Sequence, residues 1–174
     1  MRTIAQIFAD APSIQNILPQ HDHYFAHSTD GKAHKRDEWF YEHVELVNTF
    51  VERLCHAHGL DAVIDAMIGA VVRSVSALEE VDGDAIKERF AYSFLFHDFG
   101  KINPNFQREK MKKWDLFPHK ATVPFLPDTG HSELSAYCYL RYYAPKDSSD
   151  KSWILFYLTL LLSYPIIRHH APNL

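Results

Sequence analysis

The sequence predicts an all-α, single-domain protein, and three observations carry that prediction. Apolar residues recur at helical spacing along most of the 174-residue chain. No strand-like alternation recurs, and no internal repeat is visible. Turn and capping residues cut the chain into segments of helical length. A chain of this size is one ordinary domain, long enough to bury a core.

The elements follow from these signals in order. Residues 1–30 are mixed, with Pro12, Pro19 and a polar His21-Asp22-His23 stretch, and predict one short helix plus irregular chain. Asp37 can cap a helix over 37–58 that Gly59 ends. Its apolar positions are Phe40, Val44, Val47, Phe50, Val51 and Leu54. Asp61 starts a second helix, which runs to the acidic turn at 79–83. Asp84 opens a third, which ends in Phe94-Leu95-Phe96-His97-Asp98-Phe99-Gly100. Residues 101–130 contain Pro104, Pro118, Pro124 and Pro127 and read as a long surface excursion with one short helix at 106–112. A helix at 131–143, a turn at 145–149 and a helix at 151–164 complete the chain, with Pro165 as a break. The run 153–162 is almost wholly apolar but too short for a bilayer, which needs about 20 residues, so it predicts a helix buried on most sides.

Composition narrows the function classes. Hydrophobic residues are 47% and charged residues 23%, which excludes a disordered or fibrous chain. The net charge of −4 excludes a generally basic nucleic-acid binder, so any such contact must be a local patch. Cys55 and Cys138 are too few for a disulfide framework or a thiolate zinc site, and read as core fillers. The N-terminus lacks a secretory pattern, which makes a reducing cytoplasm the expected location.

Histidine is over-used: 12 residues, against 10 lysines. It is the commonest metal ligand and acid–base side chain, so position decides its meaning. His97 and Asp98 close an apolar helix, where an ionised carboxylate is costly unless paired or metal-bound. The same pair also suits simple helix capping. His43 shares a face with Val47, Phe50 and Leu54 and points inward, either as a core histidine on a backbone carbonyl or as a ligand. His131 follows Gly130 and either caps a helix or ligates. His169 and His170 follow the most apolar helix and can chelate as a pair.

The ordered set is more informative than its members. Phe25-Ala26-His27-Ser28 leads to Glu42-His43-Val44, and then to His97-Asp98-Phe99-Gly100-Lys101-Ile102-Asn103-Pro104-Asn105-Phe106-Gln107. Gly130-His131-Ser132 and His169-His170 complete it. This order resembles the HD superfamily of metal-dependent phosphohydrolases, and within it the HD nuclease domain of the type I CRISPR helicase-nuclease. The resemblance covers residues from Tyr24 onward, with the earlier residues as an N-terminal extension, and implies an HD-domain helical bundle.

By that resemblance, His43, His97 and Asp98 bind a first metal, and Asp98, His131, His169 and His170 a second, with Asp98 bridging. Mixed imidazole and carboxylate ligands suit Mn²⁺, Fe²⁺, Ni²⁺ or Co²⁺ better than Mg²⁺. Two such ions can clamp a phosphodiester and acidify a water. Lys101 either stabilises charge in the transition state or is an ordinary helix-end cation. His27 takes no ligand role. The family's further Asp, downstream of the paired histidines, has no counterpart before Leu174. The domain is therefore expected to be incomplete at its C-terminal end, with at most one tightly held metal, at Asp98, His131, His169 and His170, and weak or absent hydrolysis.

Arg108, Lys110, Lys112 and Lys113 stand against Glu109 alone, flanked by Phe106 and Trp114. Such a run either tracks a single DNA strand or is a solvated helix face. The implied activity is metal-dependent cleavage of single-stranded DNA, with a helicase and the RNA-guided surveillance complex as partners. A nucleotide phosphohydrolase and a catalytically weak metal-binding or partner-docking module are the alternatives.

Overall fold

The computed structural model describes residues 1–29, 36–121, 130–144 and 152–170. Helices dominate them. They are α1 (Ile4–Asp10), α2 (Ile14–Ile17), α3 (Phe40–His58), α4 (Leu60–Ser74), α5 (Gly83–Phe96), α6 (Pro104–Glu109), α7 (His131–Tyr143) and α8 (Ser152–Arg168). Two short antiparallel strands, β1 (Phe25–His27) and β2 (Glu38–Trp39), lie between α2 and α3, a feature that the lack of alternation did not predict. The predicted turn at 145–149, with Pro124 and Pro127, falls outside the described residues.

Helix α5 is the central post, packed by α1, α3, α4, α7 and α8. Its apolar positions Ala91, Tyr92, Leu95 and Phe96 join Phe40, Val44, Tyr139, Tyr143 and Ile166 in one core, with Cys55 inside it and Cys138 against it. Polar groups tie the same post to its neighbours. Lys87 is fully buried and reaches Asp61 at 2.7 Å and Asp65 at 2.8 Å, which locks α5 onto α4. Arg89 donates to the Thr159 hydroxyl of α8 at 3.0 Å, and the Tyr139 hydroxyl of α7 donates to the Arg89 carbonyl at 2.9 Å. Buried polar groups need such partners, so these bonds fix which helices neighbour α5.

Several boundaries differ from the sequence reading, each for a local reason. Asp37 does not cap α3, because residues 38–39 pair with β1 instead. It accepts the Thr29 N–H at 3.0 Å and pairs with Lys113. Asp82, not Asp84, caps α5 by accepting the Asp84 N–H. The short helix begins at Pro104, capped by Asn103, and stops before Lys112, whose φ of 59° is left-handed. Pro165 does not break α8, which continues to Arg168. A proline costs one backbone bond there, and buried Ile166 anchors the turn that follows. Gly59 ends α3 as expected, at a φ of 62° that favours glycine.

Burial corrects the sequence reading in two places. Helix α8 is not buried on most sides: Trp153, Tyr157, Leu161 and Tyr164 are exposed, and it packs through the smaller Thr159, Ser163 and Ile166. Phe50 and Leu54, assigned to the inward face of α3, are also exposed. The inward placement of His43 therefore comes from the N-terminal half of α3 around Phe40 and Val44. Among the described residues no single helix is long and apolar enough to cross a membrane.

Candidate metal centre

The centre is built around the turn that follows α5. His97 ends the helix, and Asp98 caps a short 3₁₀ turn at Phe99–Ile102, so their side chains escape the 100° offset of helical neighbours. Gly100 lets this turn press against α7: a Cβ there would stand 1.9 Å from the His131 carbonyl oxygen. The Gly100 N–H donates to Ser135 Oγ at 2.7 Å, and that hydroxyl donates to the His131 carbonyl at 2.7 Å. The turn carrying Asp98 and the helix end carrying His131 are thus fixed to each other.

The motif that follows is a set of backbone clamps. Asn103 caps α6. Asn105 donates to the Ala121 carbonyl at 3.1 Å and accepts the Ala121 N–H at 2.8 Å. Gln107 is fully buried, donates to the carbonyls of Phe25 and Lys101, and accepts the Phe25 N–H at 3.0 Å. It joins β1 to the Asp98 turn.

Asp98 is 3% exposed, and its two oxygens face different groups. Oδ2 lies 3.0 Å from His43 Nε2, 3.2 Å from His97 Nε2 and 2.8 Å from Lys101 Nζ. Oδ1 lies 3.1 Å from both His131 Nε2 and His169 Nε2. His170 packs on both of those rings, and the ligand atoms of Asp98, His131, His169 and His170 lie within 4.8 Å of one another. His43, His97 and Asp98 form a second such group on the Oδ2 side. The structure therefore brings together all six side chains that the sequence singled out.

The protons show what this arrangement could hold. His97 Nδ1 donates to the Phe94 carbonyl at 2.7 Å, and His169 Nδ1 to the Ile166 carbonyl at 2.6 Å. A carbonyl only accepts, so each Nδ1 carries a proton and each Nε2 is turned toward Asp98. His43 Nδ1 likewise faces the Glu38 carboxylate at 3.2 Å, while its Nε2 stands 3.3 Å from His97 Nε2. His131 Nε2 is buried and close to Asp98 yet makes no hydrogen bond among the described residues. Lone pairs converging on a buried carboxylate repel one another unless a proton or a cation lies between them. Donor atoms bound to one cation at about 2.1 Å stand about 3.0–3.4 Å apart, which is the spacing among His43, His97 and Oδ2 and that of Oδ1 from His131 and His169. The residues fit divalent transition metals, two imidazoles and one carboxylate on the Oδ2 side and a richer imidazole set on the other.

The electrostatics agree. Burial pushes the Asp98 carboxyl up, but His131, His169, His43 and His97 together hold it far below the usual carboxylate range. Burial lowers His169, and its bonds to Asp98 and Ile166 outweigh that and raise it. Burial and the neighbouring His169 and His131 lower His170, which favours the neutral ring, the form that can ligate a metal.

The basic run divides in two. Arg108 donates to the carbonyls of Phe117 and Pro118 and pairs with Glu109, and Lys113 is paired to Asp37 and lies over the Phe25 ring. Both cations are engaged within the protein. Lys110 and Lys112 are exposed, and Lys112 lies over Trp114, itself 48% exposed. Phe106, at the head of the run, packs edge-on against His131 at 4.9 Å. Sequence reasoning missed Glu38, Ser135 and Gln107 as supports of the site. Glu38 lies on a different element from His43, so helical spacing gave no sign of it.

A buried His-Asp pair at the centre of a helical bundle is the mark of the HD class of metal-dependent phosphohydrolases, and here four further histidines surround it. A family profile described as Cas3, HD domain matches residues 27–173, and the chain belongs to that family. No curated protein and no solved structure matches the chain.

Proposed function

We propose that this chain is a metal-dependent nuclease that cleaves phosphodiester bonds of single-stranded DNA in type I CRISPR interference. The observation that carries the reading is the two-sided Asp98 carboxylate, each oxygen facing its own imidazole set. His43, His97 and Asp98 would hold one cation, and Asp98, His131, His169 and His170 the other, with Mn²⁺, Fe²⁺, Ni²⁺ and Co²⁺ matching these donors. Bound divalent cations supply Lewis-acid polarisation of the phosphate and a more acidic water.

The chain's own residues do the rest. Asp98 holds both donor sets at one point, and the Nδ1 bonds of His97 and His169 aim their rings. Lys101, buried at 2.8 Å from Oδ2, places a fixed positive charge where negative charge grows on a phosphate in transit. Lys110, Lys112 and Trp114 offer a strand charge pairing and base stacking. A cytoplasmic setting, a helicase that feeds single strands and an RNA-guided surveillance complex fit this reading.

Incubation with circular single-stranded DNA tests it, with Mn²⁺, Ni²⁺ or EDTA and an Asp98→Ala control. A circle has no end, so cutting reports internal cleavage. Metal-dependent linearisation that EDTA and Asp98→Ala abolish is expected. An intact circle under every metal, with turnover of deoxynucleoside triphosphates instead, overturns the DNA assignment.

A further inference from the structure

Glu38 is a carboxylate in direct contact with the centre that neither the ligand set nor the DNA reading uses. We propose that Glu38 is the positioning residue of the Oδ2 side: its carboxylate sets the orientation and donor strength of His43, and His27 holds that carboxylate in place. The proposal rests on the metal-centre reading and deepens it.

The hairpin supplies the geometry. Antiparallel β1 and β2 put His27 opposite Glu38, so the two side chains emerge together toward the N-terminal turn of α3. Glu38 Oε1 lies 3.2 Å from His43 Nδ1, and Glu38 Oε2 lies 2.5 Å from His27 Nδ1. The His27 ring also packs edge-on to His43 at 5.0 Å. Gln107 anchors this strand to the Asp98 turn through Phe25, so the hairpin and the carboxylate it serves share one support.

The chemistry sets His43 apart. His97 and His169 give their Nδ1 protons to neutral carbonyls three residues back in their own turns. His43 gives its proton to a carboxylate from another element. An anionic acceptor draws that proton more strongly, which makes Nε2 a better electron donor toward a cation. The side of Asp98 with fewer imidazoles thus has the more strongly polarised one.

Calorimetric Co²⁺ titration to millimolar concentration, with the Co²⁺ visible spectrum recorded, tests this on the intact chain. The step that His43→Ala abolishes identifies the Oδ2 side. Glu38→Ala is expected to weaken that step about 10- to 100-fold and shift its band, with the other step unchanged. Glu38→Gln keeps an acceptor oxygen and should recover part of the loss, and His27→Ala should give a smaller loss at the same step. A normal titration by Glu38→Ala overturns the positioning role while leaving the metal centre standing. Equal weakening of both steps in Glu38→Ala, with no recovery in Glu38→Gln, also overturns it. No Co²⁺ uptake by the unmodified chain, or no step lost in His43→Ala, overturns the underlying reading and the proposal with it.

Discussion

The two sides of Asp98 use the same side-chain chemistry but meet the carboxylate differently. Oδ2 faces two imidazoles and the Lys101 ammonium, so the protein already supplies one cation there. Among the described residues Oδ1 faces imidazoles only, and one of them, His131, has a buried nitrogen without a hydrogen bond. A resident ammonium offsets the cost of a buried carboxylate and competes with an incoming cation, so the Oδ1 side should bind metal more tightly. The contrast shows that ligand identity alone does not rank sites; the charge already in contact does.

The largest effect should come from removing what both sides share. Asp98→Ala is expected to abolish metal uptake at both and reduce DNA cleavage to background, read by elemental analysis and nuclease assay. Gly100→Ala breaks the contrast from one side. Its Cβ would push His131 and α7 away, destabilising the fold by about 3 kcal/mol and weakening Oδ1-side binding more than Oδ2-side binding. Chemical denaturation and Co²⁺ titration would show it. Lys101→Met acts from the other side. Losing the ammonium should tighten Oδ2-side binding, roughly tenfold for each 1.4 kcal/mol of attraction removed, while hydrolysis slows.

A pH series separates the sides more gently. Because His169 is raised in the fold, its contribution to the stability of the metal-free chain is complete below about 6.5 and is lost as pH climbs through its folded value. Metal ligation needs the neutral ring, so stabilisation by Mn²⁺ should grow over the same interval. Thermal melts with and without Mn²⁺ should diverge as pH rises. The smallest effect belongs to a region that touches neither side. Lys110→Ala with Lys112→Ala should leave metal binding intact and lower the salt slope of single-strand affinity by about 1–2 units, measured by fluorescence anisotropy.

Much of the site was legible because its ligands sit beside strong local signals. Gly59, Gly100 and Gly130 punctuate the helices that carry them, and the order of the His and His-Asp motifs survives in one dimension. What stayed hidden is relational. Glu38 meets His43 through a bulged two-strand pairing, which no periodicity encodes. The clamps of Asn105 and Gln107 read in sequence only as polar residues within a motif. Helix α8 misled because apolar composition does not fix burial: its packing runs through Thr159, Ser163 and Ile166 and leaves large side chains outside. Pro165 misled because a proline in sequence marks a break, whereas α8 continues past it and buries Ile166 in the following turn.

A carboxylate that looks in two directions makes its two sides thermodynamically inseparable. Whatever charge one oxygen shares out lessens what remains for its twin, and reciprocity requires the same penalty whichever side fills first. If both positions take a cation, sharing one buried acid should make each bind less tightly once the other is filled, and changes confined to the histidines should leave that coupling in place.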